Sequence, residues 1–209
     1  MMIHLIRYTP APDELAQQAA AICTAKAPTE RGMRTAVDSG HESILEHASY
    51  TFLVQGVSLV TLAQLTRHRI ASFSVQSQRY VNMGEMPVVV PPAIMADGEL
   101  MDEWADITNR IRAFYHKATS HGVAQEDARY LCPEACATKL LMTMNGRELR
   151  HFLALRECGK AQWEIRQMAR LCHEAVKDIA PITFENAGPG CVRGMCPEKR
   201  PCGNPYAGG

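Results

Sequence analysis

The sequence predicts one α/β domain in which a mixed, mainly antiparallel sheet is packed by helices. Three observations point there. A chain of 209 residues, 46% of them hydrophobic, can bury a sizeable core and is short for two domains. Short runs rich in β-branched and aromatic residues alternate with helical patterns. No internal repeat, linker or low-complexity segment interrupts them before a Gly/Pro/Cys-rich tail. The expected division is a domain over 1–187 and a tail over 188–209.

Taken in order, Ile3 to Tyr8 is an apolar run ended by Thr9-Pro10 and reads as an opening strand. Pro12-Asp13-Glu14 then starts an Ala-rich helix reaching about Ala25, with proline and acids in its first turn. Thr29 to Val37 is a short helix stopped near Ser39-Gly40. Ala48 to Val57 has strand composition, and Ser58 to Thr66 has helical spacing that delivers Arg67 at its end. Met86 to Pro92 is held extended by its prolines, as an edge strand or connection. Leu100, Trp104, Ile107, Ile111, Phe114 and Ala118 mark a long amphipathic helix over 99–121, whose narrow apolar seam suits the core or a partner subunit. A short helix over 124–131 precedes Pro133, and Ala137 to Met144 is apolar and short enough for a buried strand. Asn145 caps the next helix, with Glu148 as its partner carboxylate and Leu149, Phe152 and Leu153 as its buried stripe. The final helix is expected over 162–180, stopped by Pro181.

Composition excludes several classes. Lys plus Arg equals Asp plus Glu at 22 each, so there is no general excess of positive charge to hold a nucleic-acid polymer. No run of about 18 apolar residues exists to span a membrane, and the N-terminus lacks the layout of a signal peptide. A cytoplasmic protein is expected, with its eight cysteines as reduced thiols. Cys191, Cys196 and Cys202 crowd the tail, but their x4 and x5 spacings miss the usual C-x2-C pattern, so no metal site is read there. In HESILEH (41–47) Leu45 occupies the place where H-E-x-x-H needs its second histidine, which also disfavours a metal. Ser43-x-x-Glu46 reads there as a capping box.

The positive charge is clustered instead. Residues 67–80, RHRIASFSVQSQRY, combine Arg67, His68, Arg69 and Arg79 with hydroxyl and amide side chains and no acid. Three guanidinium groups cannot lie unpaired in an apolar core, so the segment is expected as an anion-binding loop. Gln64 falls one turn before Arg67 and shares its face. Downstream, Arg147, Arg150, His151 and Arg156 put four cationic or ionisable groups on one short helix.

Arg67-His68-Arg69, seven residues, then Ser77 resembles the RHR-x7-S motif of the flavin-dependent thymidylate synthases. HESILEH, AQLTRHRIASFSVQSQRY, the DARYLCP segment around Arg129, NGRELRHFLALR and AQWEI extend the resemblance in order from 41 to about 166. The resemblance implies a homotetramer holding FAD and deoxyuridine monophosphate (dUMP) between subunits. It implies methylation of dUMP at C5, with methylenetetrahydrofolate as carbon donor and NADPH as reductant, and with no cysteine nucleophile. By position, FAD would be bound by Ser43, Glu46, Arg67, His68, Arg69, Asn145, Arg147 and His151, with His41 beside them. Gln64, Arg67, Ser77, Gln78, Arg79, Arg129 and Arg156 would hold dUMP, with Arg156 polarising the uracil. Cys132-Pro133 reverses the Pro-Cys order of the thiol-dependent enzymes and reads as structural. Two departures stand out: Ser74-Val75 where many members have Asn-Glu, and Cys23 where a Ser often stands. The competing reading is a non-enzymatic nucleotide- or RNA-binding protein using the same arginines on phosphate, although aromatic stacking platforms are scarce at 6%.

Overall fold

The computed structural model describes residues 1–85, 87–194 and 196–205. Among these, strands β1 (Met2–Tyr8), β2 (Ser49–Ser58), β3 (Ala71–Val75) and β4 (Ala137–Asn145) form one sheet in the order β1-β2-β4-β3. The sheet is antiparallel rather than mixed. Thr9 N donates to Ser49 O at 3.0 Å, and Gly146 N to Ala48 O at 2.9 Å, as oppositely running neighbours require. The helices are α1 (Pro12–Thr24), α2 (Glu30–Asp38), α3 (Leu59–Leu65), α4 (Pro92–Met95), α5 (Gly98–Ser120), α6 (Gln125–Ala128), α7 (Gly146–Arg156), α8 (Trp163–Val176) and α9 (Pro181–Phe184). Two compact units are distinguished: one comprises Met1–Val54, Gln64–Phe73 and the chain from Leu141 onward, the other Gln55–Ala63 and Ser74–Leu140.

In the first unit, β2 turns Tyr50, Phe52 and Val54 inward, and β4 turns in Met142 and Met144, as strand periodicity dictates. α7 buries Leu149, Phe152 and Leu153, and α8 buries Ile165, Met168, Ala169 and Cys172. The α7 N-terminus is fixed in two ways. Asn145 Oδ1 accepts from Glu148 N at 2.8 Å, the expected cap. Gly146 packs so tightly that an added Cβ would stand 2.8 Å from the Leu45 carbonyl oxygen. α1 is tied to α9 by a buried acid: Asp13 accepts from the Ile182 and Thr183 amides at 2.8 and 3.0 Å, and from the Thr183 hydroxyl at 2.6 Å.

In the second unit, α5 is capped by Asp97, whose Oδ1 accepts from Glu99 N and Leu100 N. Tyr115 of α5 packs with Met83 and Ala128. Leu100, Ile107 and Phe114, seven apart in sequence, remain 44%, 49% and 52% exposed along α5.

Four expectations are corrected. Residues 71–75 are not loop but the edge strand β3; its own side chains carry no charge, and the arginines flank it. The Ser43–Glu46 capping box does not form, because 42–47 is a 3-10 helix and Glu46 bonds Arg147. α8 ends at Val176, and Pro181 opens α9 rather than merely stopping α8, since proline suits a first helical turn. Arg150 is no surface cation: it is buried, and it donates to Glu42 and to the Thr183 carbonyl oxygen. In the expected extended run over 86–92, Val88 makes an isolated antiparallel bridge to Cys136, while Met86 lies outside the described residues.

Candidate active site

In the first unit the site is organised by His68, which sits past the end of α3 and is only 4% exposed. Both ring nitrogens are used. Nδ1 lies 2.9 Å from Glu148 Oε1, itself buried on α7. Nε2 accepts from Arg156 Nε at 3.2 Å. A carboxylate only accepts, and a guanidinium only donates, so Nδ1 must carry the proton and Nε2 must be bare. The ring is therefore neutral. Its pKa is lowered, first by burial, with the Glu148 hydrogen bond working the other way and the Arg156 charge adding to the drop. Phe152 closes the ring's surroundings edge-on at 5.2 Å.

Arg156 is thus held by neutral acceptors: His68 Nε2 and the Gln64 carbonyl oxygen, 3.0 Å from Nη2. Among the described residues no carboxylate is bonded to it. Burial, then the Arg67 charge, lowers its pKa. Two guanidiniums within each other's field, with no acid bonded to Arg156, are a place where an anion is stabilised. Among the described residues Nη1 of Arg156 makes no hydrogen bond, which leaves one edge of the fork for a ligand.

Around this core lie the other expected residues of the unit. His41, Ser43, Glu46, Arg67, Arg69, Arg147 and His151 are exposed, and Asn145 is half-buried as the α7 cap. The structure joins Arg147 to Glu46 at 2.6 Å, and it sets the His151 ring edge-on to His68 at 5.8 Å. The Glu46 pairing raises the Arg147 pKa.

In the second unit, the expected phosphate ligands are brought to one place. Ser77 Oγ accepts from Arg79 N at 3.2 Å. Arg79 Nε donates to Glu126 Oε2 at 2.7 Å, and Arg129 Nε donates to the Glu126 carbonyl oxygen at 3.1 Å. Glu126 therefore gathers both arginines, one through its side chain and one through its backbone. Gln78 lines a groove of about 330 Å³ with Gln76, Asn82 and Thr138. Its amide nitrogen is buried with no partner among the described residues, a donor suited to a ligand oxygen.

Two carboxylates that hold these groups are not evident in the sequence. Glu148 was read as a cap partner, yet its carboxylate turns to His68; Glu126 was not singled out at all. The signal for Glu126 was its position three before Arg129 on one helical turn. Nothing in sequence places Glu148 opposite His68, 80 residues earlier. Cys132 and Cys136 are poor nucleophiles: burial raises the Cys132 pKa and pushes Cys136 up to about 12.

Residues 4–182 match the family model described as thymidylate synthase complementing protein. The flavin-dependent thymidylate synthase of Geobacter sulfurreducens is 42% identical over 95% of this chain and 91% of its own. That of Pyrococcus furiosus is 47% identical over 77% of this chain and 69% of its own. Among solved structures, thymidylate synthase X of Helicobacter pylori, with FAD and dUMP, superposes with a TM-score of 0.75 at 25% identity, covering 90% of this chain and 98% of that one. A UMP/dUMP methylase from Streptomyces cacaoi, bound with 5-Br dUMP, gives 0.75 at 26% identity, covering 88% and 93%. With a family model matched over residues 4–182 and relatives at 42% and 47% identity, the chain belongs to the flavin-dependent thymidylate synthase family.

Proposed function

We propose that this protein converts dUMP to dTMP by reductive methylation, with FAD as cofactor, methylenetetrahydrofolate as carbon donor and NADPH as electron source. The observation that carries the proposal is the clamped, carboxylate-free guanidinium of Arg156. A uracil ring becomes nucleophilic at C5 when positive charge stabilises the anion developing at N3 and O4. A guanidinium fixed in advance does this without reorganising during the reaction. The raised thiol pKa values of Cys132 and Cys136 favour this route over thiol attack.

The residues present fit a flavin dinucleotide. Arg67, Arg69 and His151 are exposed, and the exposed Arg147–Glu46 pair is of a kind worth roughly 0–1 kcal/mol. A pyrophosphate can displace Glu46 from Arg147 at little cost. The proposed FAD ligands are Ser43, Glu46, Arg67, Arg69, Asn145, Arg147 and His151, with His41 adjacent; His68, expected among them, has no ring nitrogen left for FAD and acts through Arg156. Bound FAD supplies the reducing equivalents taken from NADPH and the delivery of the one-carbon unit.

Gln64, Arg67, Ser77, Gln78, Arg79, Arg129 and Arg156 are the proposed dUMP ligands. Ser77, Arg79 and Arg129 hold the phosphate, and Arg156 faces the pyrimidine. The proposal includes a homotetramer with FAD and dUMP between subunits. The exposed Leu100, Ile107 and Phe114 stripe on α5 supports a subunit contact. Residues 1–187 form the catalytic domain in this reading, with the remainder as an appended tail. No described helix is long and apolar enough to cross a membrane.

Tritium release from C5-labelled dUMP tests the reaction. Release that requires FAD, NADPH and methylenetetrahydrofolate together is expected. A flavin-loaded protein that releases none contradicts the proposal, and salt-sensitive binding along an RNA strand would favour the non-enzymatic reading.

A further inference from the structure

Four of the eight cysteines, Cys158, Cys191, Cys196 and Cys202, line one cavity of about 940 Å³ in the first unit. Three come from the C-terminal segment, and the fourth follows the end of α7. The packing is close: Cys202 Sγ lies 3.2 Å from where a Cβ on Gly159 would stand, directly after Cys158. Cys158 and Cys196 both act electrostatically on Lys160. Fold thus adds what spacing lacked, a fourth thiol facing the x4 and x5 run of the tail.

Three further features belong with those thiols. The cavity wall carries Arg156, Lys160, Arg166, Arg170 and Arg193. Its acids are paired on one oxygen each, Glu157 Oε1 with His173 at 3.0 Å and Glu198 Oε2 with Lys160 at 2.9 Å. Neighbouring cations favour thiolates, and they offset the double negative charge of four thiolates around a divalent ion. The backbone turns sharply beside the cysteines: Gly194 at φ 107° precedes Cys196, and Gly203 at φ 75° follows Cys202. Beyond the short 3-10 turn Gly190–Arg193, the described tail has no regular element to organise it. Metal binding supplies such organisation in segments too small for a core.

We propose that Cys158, Cys191, Cys196 and Cys202 form a tetrathiolate site for a zinc-class divalent ion that pins the C-terminal segment against the end of α7. Among the described residues no three candidate ligands yet converge on one point. Ligation therefore draws the segment inward across the cavity. The other cysteines are placed differently: Cys136 and Cys172 are buried, Cys132 adjoins Cys136, and Cys23 is exposed near the end of α1.

The test uses the full chain with FAD, stripped with a chelator under reductant and titrated with zinc alone. One zinc per chain is expected, with four thiols protected from a disulfide reagent. Cobalt in place of zinc should give the long-wavelength bands of a tetrahedral thiolate, beyond the flavin absorption. Cys158→Ser and Cys202→Ser should each weaken zinc by more than the roughly 100-fold that loss of an outer-shell partner causes. Cys23→Ser should leave zinc binding unchanged. Equal zinc affinity in all three variants overturns the site, as does a wild-type chain whose thiols react alike with and without zinc or whose cobalt form lacks those bands. Iron with acid-labile sulfide in the isolated protein overturns the zinc assignment.

Discussion

Arg156 in the first unit and Arg79 in the second are both proposed to meet dUMP, yet they are held in opposite ways. Arg156 is half-buried and bonded to a neutral imidazole and a carbonyl oxygen. Arg79 is 55% exposed in its side chain and paired with the half-exposed carboxylate of Glu126. The first arrangement fixes a positive charge without cancelling it, which suits polarisation of a ring. The second keeps a charge quiet until a phosphate replaces the carboxylate, which suits binding. Position is what the buried network supplies; exchangeability is what the exposed one supplies.

The comparison breaks most visibly at Arg156. Arg156→Ala should lower dTMP formation by roughly 10²–10³-fold while FAD stoichiometry stays at the wild-type value. A raised KM for dUMP with unchanged kcat would instead make Arg156 a simple binding residue. Next comes the network behind it. Glu148→Ala leaves the buried His68 N–H without an acceptor and should cost about 1.5–3 kcal/mol in urea unfolding, with a fall in kcat as Arg156 loosens. An unmoved midpoint would show that the pair does not hold the ring. Arg79→Ala should weaken dUMP binding by roughly ten- to a hundredfold, with stability within about 0.5 kcal/mol of wild type. Equal losses of dUMP affinity and stability would erase the contrast between the two arginines.

The smallest effect is on pH dependence. His68 has a folded pKa below its ordinary 6.5. The unfolded chain therefore takes up the proton first as pH falls, and its contribution to stability is complete above about pH 6.5. That contribution should shrink as pH drops from about 6.5 toward the lower folded value, and the slope should vanish in His68→Asn. A slope of the opposite sign in wild type would mean that the ring is charged when folded.

Much of this is legible in the sequence. Helix boundaries at Pro12, Asn145 and Gln162 follow from local chemistry, because proline and capping side chains act within one turn. The run 67–80 stands out because it carries Arg67, Arg69 and Arg79 with no acid, which an apolar core does not tolerate. What escaped depends on contacts distant in sequence. Arg150 looks like one more cation beside Arg147, yet Glu42 and the carbonyl oxygens of Thr183 and Glu185 make it internal. Glu148 looks like a helix cap, and only the fold turns its carboxylate to His68. Strand β3 was hidden because the flanking arginines dominated its reading, although Ala71 to Val75 carry none.

Everything here rests on a neutral His68 that takes a hydrogen bond from Arg156. Nitrogen-15 NMR of the histidine rings, with His68→Asn for assignment, measures this directly. A proton on Nδ1 and none on Nε2 at pH 7 is the result expected. A doubly protonated ring at that pH would contradict it, since an imidazolium cannot accept from a guanidinium.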